Sequence, residues 1–150
     1  MIALKRTDST NQDFVGLVQL LDADLVIRDG ADHAFYDQFN KIDAIKHAVV
    51  AYENNGPVGC GAIKEMGNEV VEVKRMFVKQ EERGKGIASL ILSELEQWAR
   101  ELGMKKCLLE TGNKNQPEAV ALYHKQGYKI IENYAQYAGV EGSVCFEKLI

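Results

Sequence analysis

Three strand-like segments stand next to one another in the middle of the chain, with only short turns between them. They cover residues 46–53, 58–65 and 69–78, and the turn signals between them are Asn54-Asn55-Gly56-Pro57 and Met66-Gly67-Asn68. Connections this short join antiparallel neighbours, because parallel strands need a crossover of about a dozen residues or more. The centre of the fold is therefore predicted to be an antiparallel meander.

Helical and extended patterns alternate on both sides of this meander. Apolar residues at intervals of three and four predict helices over residues 11–26, 33–40, 87–102 and 116–126. Shorter apolar segments predict four further strands over residues 2–6, 106–111, 128–132 and 143–149. The order β-α-α-β-β-β-α-β-α-β-β predicts an α/β fold, α+β in some schemes, with a mixed seven-stranded sheet and four helices on its faces.

The length and composition describe one ordinary domain. The chain has 150 residues, of which 46% are hydrophobic and 27% charged, so residues 1–150 are expected to form a single domain. The net charge of −4 lacks the basic footprint of a nucleic-acid-binding protein. No apolar run reaches the ~20 residues of a membrane span and the N-terminus lacks a signal-peptide core, which predicts a cytoplasmic protein without a membrane partner.

The cysteine pattern gives no sign of a metal site. Cys60, Cys107 and Cys145 are odd in number, widely spaced and placed in apolar segments. This favours buried, reduced thiols over a disulfide framework, a zinc site or a reactive nucleophile. We therefore expect no bound metal.

The densest turn signal lies between the third strand of the meander and the helix that follows it. Arg83-Gly84-Lys85-Gly86 opens that helix. Glycines let the backbone approach a ligand, and the helix dipole adds about half a positive charge, so residues 83–89 are a candidate phosphate cradle. A tight turn with two solvated basic residues is equally compatible with this position. The turn fails the P-loop pattern and matches a dinucleotide fingerprint only weakly.

Four segments between residues 69 and 128 carry motifs in a specific order and spacing. Arg83-Gly84-Lys85-Gly86-Ile87-Ala88 resembles a pyrophosphate-binding motif, Arg/Gln-x-x-Gly-x-Gly/Ala, of the GNAT superfamily of acyl-CoA-dependent N-acetyltransferases. Residues 72–78 and 108–112 resemble the fourth and fifth strands of that family. Residues 116–128 resemble its fourth-helix signature, with Gln116 where Asn is usual. The order of elements extends the resemblance to the whole chain.

The resemblance implies a GNAT-like, mostly antiparallel sheet that splays between its fourth and fifth strands, with acetyl-CoA as co-substrate. The glycine turn would hold the pyrophosphate, and the backbone of the fourth strand would pair with the pantetheine arm. The cofactor-binding residues that it implies are Met76, Phe77, Val78, Arg83, Gly84, Lys85, Gly86, Ile87, Ala88, Ser89 and Gln116.

Two residues are implied as catalytic. Tyr123 matches the family's helix-four tyrosine, which can protonate the leaving thiolate, although spacing alone would make it a packing residue. Glu72 corresponds to the catalytic glutamate of the histone-acetylating branch and is the candidate general base. Pairing with Lys74 on the same strand face is an equally compatible role for Glu72.

The family architecture implies that the acceptor approaches from the first two helices and from the last hairpin. The candidates along these elements are Arg28, Asp29, His33, Tyr36, Gln38, Tyr134 and Tyr137. Arg75 and Lys74 could bind a carboxylate of the acceptor, or they could face solvent.

The resemblance implies an N-acetyltransferase that moves an acetyl group from acetyl-CoA to a primary amine of a small molecule or amino-acid-like acceptor by direct nucleophilic attack. The alternatives are a non-catalytic coenzyme A-binding sensor or regulatory module and a nucleotide-binding protein with an atypical glycine turn. A peptide acceptor is still open. So is a homodimer, since homodimers are common in the family.

Overall fold

The order of strands and helices agrees with the order predicted from the sequence. The computed structural model describes residues 1–37, 41–42, 45–113 and 115–150. The strands are β1 Ile2–Thr7, β2 His47–Glu53, β3 Gly56–Gly67, β4 Val70–Val78, β5 Lys106–Gly112, β6 Lys129–Ile131 and β7 Ser143–Leu149. The helices are α1 Gln12–Asp29, α2 His33–Asp37, α3 Ile87–Glu101 and α4 Pro117–Lys125. The end of the predicted helix 33–40 lies outside the described residues.

Both turns of the central meander are tighter than the sequence signals indicated. Asn54 and Asn55 have φ angles of 53° and 68°, and the same left-handed pair recurs at Asn68 and Glu69 with 56° and 62°. Two consecutive residues in this region form a turn whose twist matches that of a hairpin, and asparagine adopts it more readily than most residues. As a result, β3 begins at Gly56, two residues earlier than predicted.

The seven strands form one sheet in the order β1-β2-β3-β4-β5-β7-β6. Its neighbours are antiparallel except for β4 and β5, which are parallel. These two strands pair only from Val70 to Glu72 with Lys106 to Leu108, and they separate beyond that point. The predicted splay is therefore confirmed. Among the described strands, none pairs with the edge of β4 that faces the gap over residues 73–78.

The helices cover both faces of the sheet. The apolar side of α1, which includes Phe14 and Leu21, packs on one face, against alternate residues of β2 such as Val50. Helices α3 and α4 pack on the other face, where Val49 and Ile91 belong to the same cluster. The central strands are consequently buried on both sides and read as nearly continuous apolar runs. Among the described residues, no helix combines the length and apolar character needed to cross a membrane.

Helix α3 approaches β3 most closely at a position without a side chain. A Cβ atom on Gly61 would lie 2.5 Å from Met76 Sδ and 2.9 Å from both Ile91 Cγ2 and Leu95 Cδ1. The absence of a side chain at Gly61 therefore sets how near α3 lies to the sheet. The same helix begins at the glycine turn, so this packing also positions that turn.

We expect Gly61→Ala to lower the free energy of unfolding by about 1–3 kcal/mol, because the added methyl group overpacks a filled core. Urea denaturation measures this loss. The matched control is Gly16→Ala on α1, where a Cβ would meet nothing within 4 Å and where the better helix former should add about 0.5–1 kcal/mol. A neutral Gly61→Ala variant would contradict the close approach of α3.

Candidate active site

A cleft opens where β4 and β5 separate, and a smaller pocket joins its inner end. The long cleft has a volume of about 300 Å³, and the inner pocket has about 90 Å³. Both are lined by Leu21, Met76, Gln116 and Tyr123, so the two spaces meet at these side chains. Of the residues implied to bind a cofactor, those lining the long cleft are Met76, Phe77, Val78, Arg83, Gly84, Gly86, Ile87, Ala88, Ser89 and Gln116.

The N-terminus of α3 forms one end of the long cleft. Gly84 and Gly86 have φ angles of 83° and 80°, a conformation that glycine adopts without steric cost. The backbone N–H of Leu90 donates to the carbonyl of Gly86, so the amides of residues 87–89 precede the first amide that donates within the helix and have no acceptor there. No side chain at the N-cap receives them. This arrangement fits an anion such as a pyrophosphate.

The two basic residues of the turn have different surroundings. Arg83 Nε donates to the carbonyl of Val78 at 2.9 Å, and its guanidinium carbon lies 5.7 Å from the centre of the Phe77 ring. Lys85 Nζ instead lies 2.7 Å from Glu82 and 3.5 Å from Glu53. Arg83 therefore contributes its charge to the cleft, whereas two carboxylates compensate the charge of Lys85.

A bulge interrupts β4 beside the cleft. Arg75 has a φ angle of 57°, and the pairing of β3 with β4 shifts register at this point. Its side chain is 2% exposed and forms an ion pair with Asp22 on α1. The side chain of Lys74 is 10% exposed. Neither residue faces solvent, so that alternative for Lys74 and Arg75 is wrong.

The inner pocket contains Glu72, for which the sequence left two roles open. Glu72 lines the pocket, and one of its oxygens lies 3.4 Å from Lys74 Nζ. Its other oxygen accepts a 2.6 Å hydrogen bond from the hydroxyl of Tyr134. Glu72 therefore pairs with Lys74 and also lies in the pocket, so the two alternatives do not exclude each other. The role of Glu72 as a base is still a prediction.

A second carboxylate in the pocket, Glu110 on β5, was missed by the sequence analysis. Burial and the nearby charge of Glu72 raise the pKa of Glu110 to about 7, against a hydrogen bond from Ser143 that lowers it. Ser143 Oγ also lies 3.0 Å from the hydroxyl of Tyr36. With Ser143 donating to Glu110, Tyr36 donates to Ser143. The sequence does contain a signal for Glu110, namely a glutamate within an otherwise apolar strand. A charged residue at such a position rarely serves packing alone.

Tyr123 is buried at the junction of the two spaces. Its ring centroid lies 5.8 Å from those of both Tyr128 and Phe146, so it packs in the core as spacing alone predicted. It also lines both cavities, and its role as a proton donor is still a prediction. Burial and the charge of Glu110 raise the pKa of Tyr123, which keeps its hydroxyl protonated in the neutral range.

The residues predicted on the acceptor path lie in different places. Asp29, Tyr36 and Tyr137 line the inner pocket. Tyr134 is connected to the pocket through its hydrogen bond to Glu72. Gln38 lies outside the described residues. The assignment of these side chains to substrate binding is still a prediction.

Arg28 lies on the wall of the long cleft rather than in the inner pocket. Its guanidinium pairs with Glu118 on α4 and lies 3.0 Å from Asp24. It also donates to the backbone carbonyl of Asn115 at 3.1 Å. Arg28 thus ties the end of α1 to the start of α4, a contact between distant segments that the sequence does not reveal.

The three thiols are buried and unpaired, as predicted. Burial raises the pKa of Cys60 to about 12 and the pKa values of Cys107 and Cys145 to about 11. Thiols in this state are poor nucleophiles at neutral pH.

Comparison with known proteins identifies the family. Residues 14–128 match the Acetyltransferase (GNAT) family. The chain therefore belongs to the GNAT family of acetyltransferases, as the resemblance predicted. A protein named IAA acetyltransferase from Azospirillum brasilense is 39% identical over 101 residues, which are 67% of this chain and 65% of that protein. The chain thus spans just under two thirds of the length of that relative.

Solved structures share the fold over nearly the whole chain. A crystal structure from Klebsiella pneumoniae, described as an acyl-CoA N-acyltransferase, has a TM-score of 0.83 and 27% identity, and the match covers 99% of this chain and 97% of that one. The PaiA N-acetyltransferase from Thermoplasma acidophilum, solved in complex with coenzyme A, has a TM-score of 0.75 and 16% identity, with 100% and 99% covered. At that identity the second likeness concerns the fold alone.

The raised pKa of Glu110 predicts a pH-dependent stability. The pKa is about 7 in the folded protein against an ordinary value of 4.5 for glutamate, so the folded state binds the proton more tightly and loses stability as the pH rises through 7. The parent should therefore lose free energy of unfolding between about pH 5 and pH 8, whereas Glu110→Gln should not. We expect the free energy of unfolding of Glu110→Gln, relative to that of the parent, to rise by about 2–3 kcal/mol over this range. Urea denaturation at several pH values measures this gain. Glu147→Gln, outside the pocket on β7, is the control, and equal curves for both variants would refute the expectation.

Proposed function

We propose that this protein transfers an acetyl group from acetyl-CoA to the primary amine of a small molecule. One observation carries the proposal: an anion-binding helix terminus and a carboxylate-lined pocket open into one continuous space at Met76, Gln116 and Tyr123. Membership of the GNAT family supports the reaction class. The coenzyme A bound to the Thermoplasma relative supports the donor.

The long cleft has the groups needed to hold acetyl-CoA. The amides of residues 87–89 and the guanidinium of Arg83 would bind the pyrophosphate. The unpaired edge of β4 offers backbone donors and acceptors to the amides of the pantetheine arm, in the manner of an added strand. When bound, acetyl-CoA supplies an activated acetyl carbonyl and a thiolate leaving group. The reacting end of the arm would then lie near Tyr123.

The inner pocket has the groups needed to activate an amine. Glu110, with a pKa of about 7, would take the proton from the acceptor ammonium, since a base is most effective when its pKa is near the working pH. The free amine then attacks the acetyl carbon; a C–N bond forms and the C–S bond breaks. The hydroxyl of Tyr123 would give its proton to the departing sulfur, and the extra proton that the nitrogen carries after attack would restore this hydroxyl, directly or through water. Glu72, which accepts bonds from Tyr134 and Lys74, is the alternative base.

Replacing Tyr123 by Phe tests the reaction and separates an enzyme from a coenzyme A sensor. We expect kcat to fall by about 10²–10⁴-fold, because the proton donor is removed, while the affinity for acetyl-CoA is unchanged. Thiol release across amino acids, polyamines, aminoglycosides and peptides gives the rate, and calorimetry gives the affinity. Tyr52→Phe, whose hydroxyl bonds Asp13 away from the cleft, is the control. Acetyl-CoA binding without turnover on any acceptor would favour the sensor.

The pH dependence of kcat/KM distinguishes the two candidate bases. If Glu110 is the base, kcat/KM falls as the pH drops below about 7, because protonation removes the acceptor of the amine proton. We expect Glu110→Gln to lower kcat/KM by about 10²–10⁴-fold and to abolish this acidic limb. The matched variant Glu72→Gln should keep the limb. Loss of the limb in Glu72→Gln alone would assign the base to Glu72 instead.

A further inference from the structure

Three acidic side chains converge on the inner pocket from separate elements. Asp29 comes from the end of α1, Glu72 from β4 and Glu110 from β5. The side chains of Asp29 and Glu72 are only 4% and 7% exposed. Burial makes the largest contribution to the raised pKa of Glu110, and the charges of Glu72 and Asp29 add to it. The pocket thus favours a positive charge.

Two basic side chains also line this pocket, but each already has a carboxylate partner. Lys74 Nζ lies 3.4 Å from Glu72, and Arg75 pairs with Asp22. The charge of Lys74 also lowers the pKa of Glu110, against the larger effect of burial, while Asp29 contacts His33 and Asn115. The negative charge of the pocket is therefore not cancelled by Lys74 and Arg75.

A ligand carboxylate in this pocket would need a free donor, and the candidate on Arg75 is its Nε atom. Its Nε has no hydrogen-bond partner among the described residues, but it is enclosed by protein atoms, and the whole side chain is 2% exposed. A ligand carboxylate could reach it only if Arg75 left Asp22 or if the bulge of β4 moved. As the side chains stand, the guanidinium of Arg75 is enclosed by protein atoms and held by Asp22.

Aromatic rings complete the wall of the pocket. Tyr36, Tyr123 and Tyr137 line it together with the acidic groups. The faces of aromatic rings attract ammonium groups, and carboxylates do so more strongly. Rings and carboxylates together are a suitable surface for an organic cation.

We infer that the acceptor carries its amino group on a carbon that bears no carboxylate, as in an alkylamine or arylalkylamine, and is not a free α-amino acid. This inference rests on the proposed function and narrows its acceptor. When the amine of an α-amino acid reaches Glu110, its own carboxylate comes near Glu72 and Asp29, and the three like charges repel. An amine without that carboxylate keeps the attraction and avoids the repulsion.

Matched acceptors that differ by a single carboxylate test this inference. The pairs are isobutylamine with valine and phenethylamine with phenylalanine, and the methyl esters of both amino acids keep the size while removing the charge. We expect kcat/KM for the amines and the esters to exceed that of the free amino acids by at least about tenfold. Calorimetry on the coenzyme A-loaded protein measures acceptor binding independently of turnover.

Three outcomes of this experiment would contradict the inference, and one of them would also contradict the proposed function. Equal or better use of the amino acids would overturn the inference. Failure of the amines to bind the coenzyme A-loaded protein would overturn it too, while leaving the donor site intact. Failure of acetyl-CoA itself to bind would refute the proposed function, and the inference with it.

A charge-neutral variant gives a second test within the same assay. Glu72→Gln removes one repelling charge from the pocket, so the preference for amines over amino acids should shrink by about tenfold or more. The control Glu101→Gln changes the net charge equally, at an exposed residue of α3 that bonds Arg6. It should leave the preference unchanged. An unaltered preference in Glu72→Gln would show that the charge of Glu72 does not set selectivity.

Discussion

Only three residue pairs join β4 to β5, and both cavities depend on the shortness of this ladder. β5 continues to pair with β7 as far as Gly112, while β4 stays with β3 as far as Val78. The bulge at Arg75 adds local twist to β4 just beyond the last shared pair. The two strands therefore diverge while each keeps a partner on its other side. The resulting gap leaves a backbone edge unpaired inside the molecule, which a folded protein tolerates where a ligand can satisfy it.

Helix α3 lies across the gap between β4 and β5 and contacts the sheet on both sides of it. On the β3 side it packs directly over Gly61. On the other side, buried Glu96 accepts hydrogen bonds from Tyr128 and from Lys148 on β7, both at 2.9 Å. Removing one partner of such a buried pair leaves an uncompensated charge, which costs about 3–5 kcal/mol. The helix that presents its N-terminus to the long cleft is thus anchored to the strands on both sides of the gap.

Features that depend on neighbouring residues along the chain were predictable from the sequence, and features that depend on distant contacts were not. The order of elements, the glycine turn at Gly84 and Gly86 and the helix carrying Tyr123 all follow from local spacing. The compensation of Lys85 by Glu53 requires knowing that β2 ends beside the turn. Similarly, the raised pKa of Glu110 results from burial and from the charge of Glu72 on another strand, which no local pattern encodes. The sequence therefore locates the site better than it describes its electrostatics.

The separation of the strands also explains why Glu72 and Glu110 have different surroundings within one pocket. Glu72 lies at the last position where β4 and β5 still pair, and donors from Tyr134 and Lys74 reach both of its oxygens. Glu110 lies two residues beyond Leu108, the last residue of β5 that pairs with β4, and so lies within the gap. There it has a hydrogen bond from Ser143 against the penalties of burial and of a neighbouring negative charge. The same separation of the strands thus provides both the cleft and the buried environment that raises the pKa of Glu110.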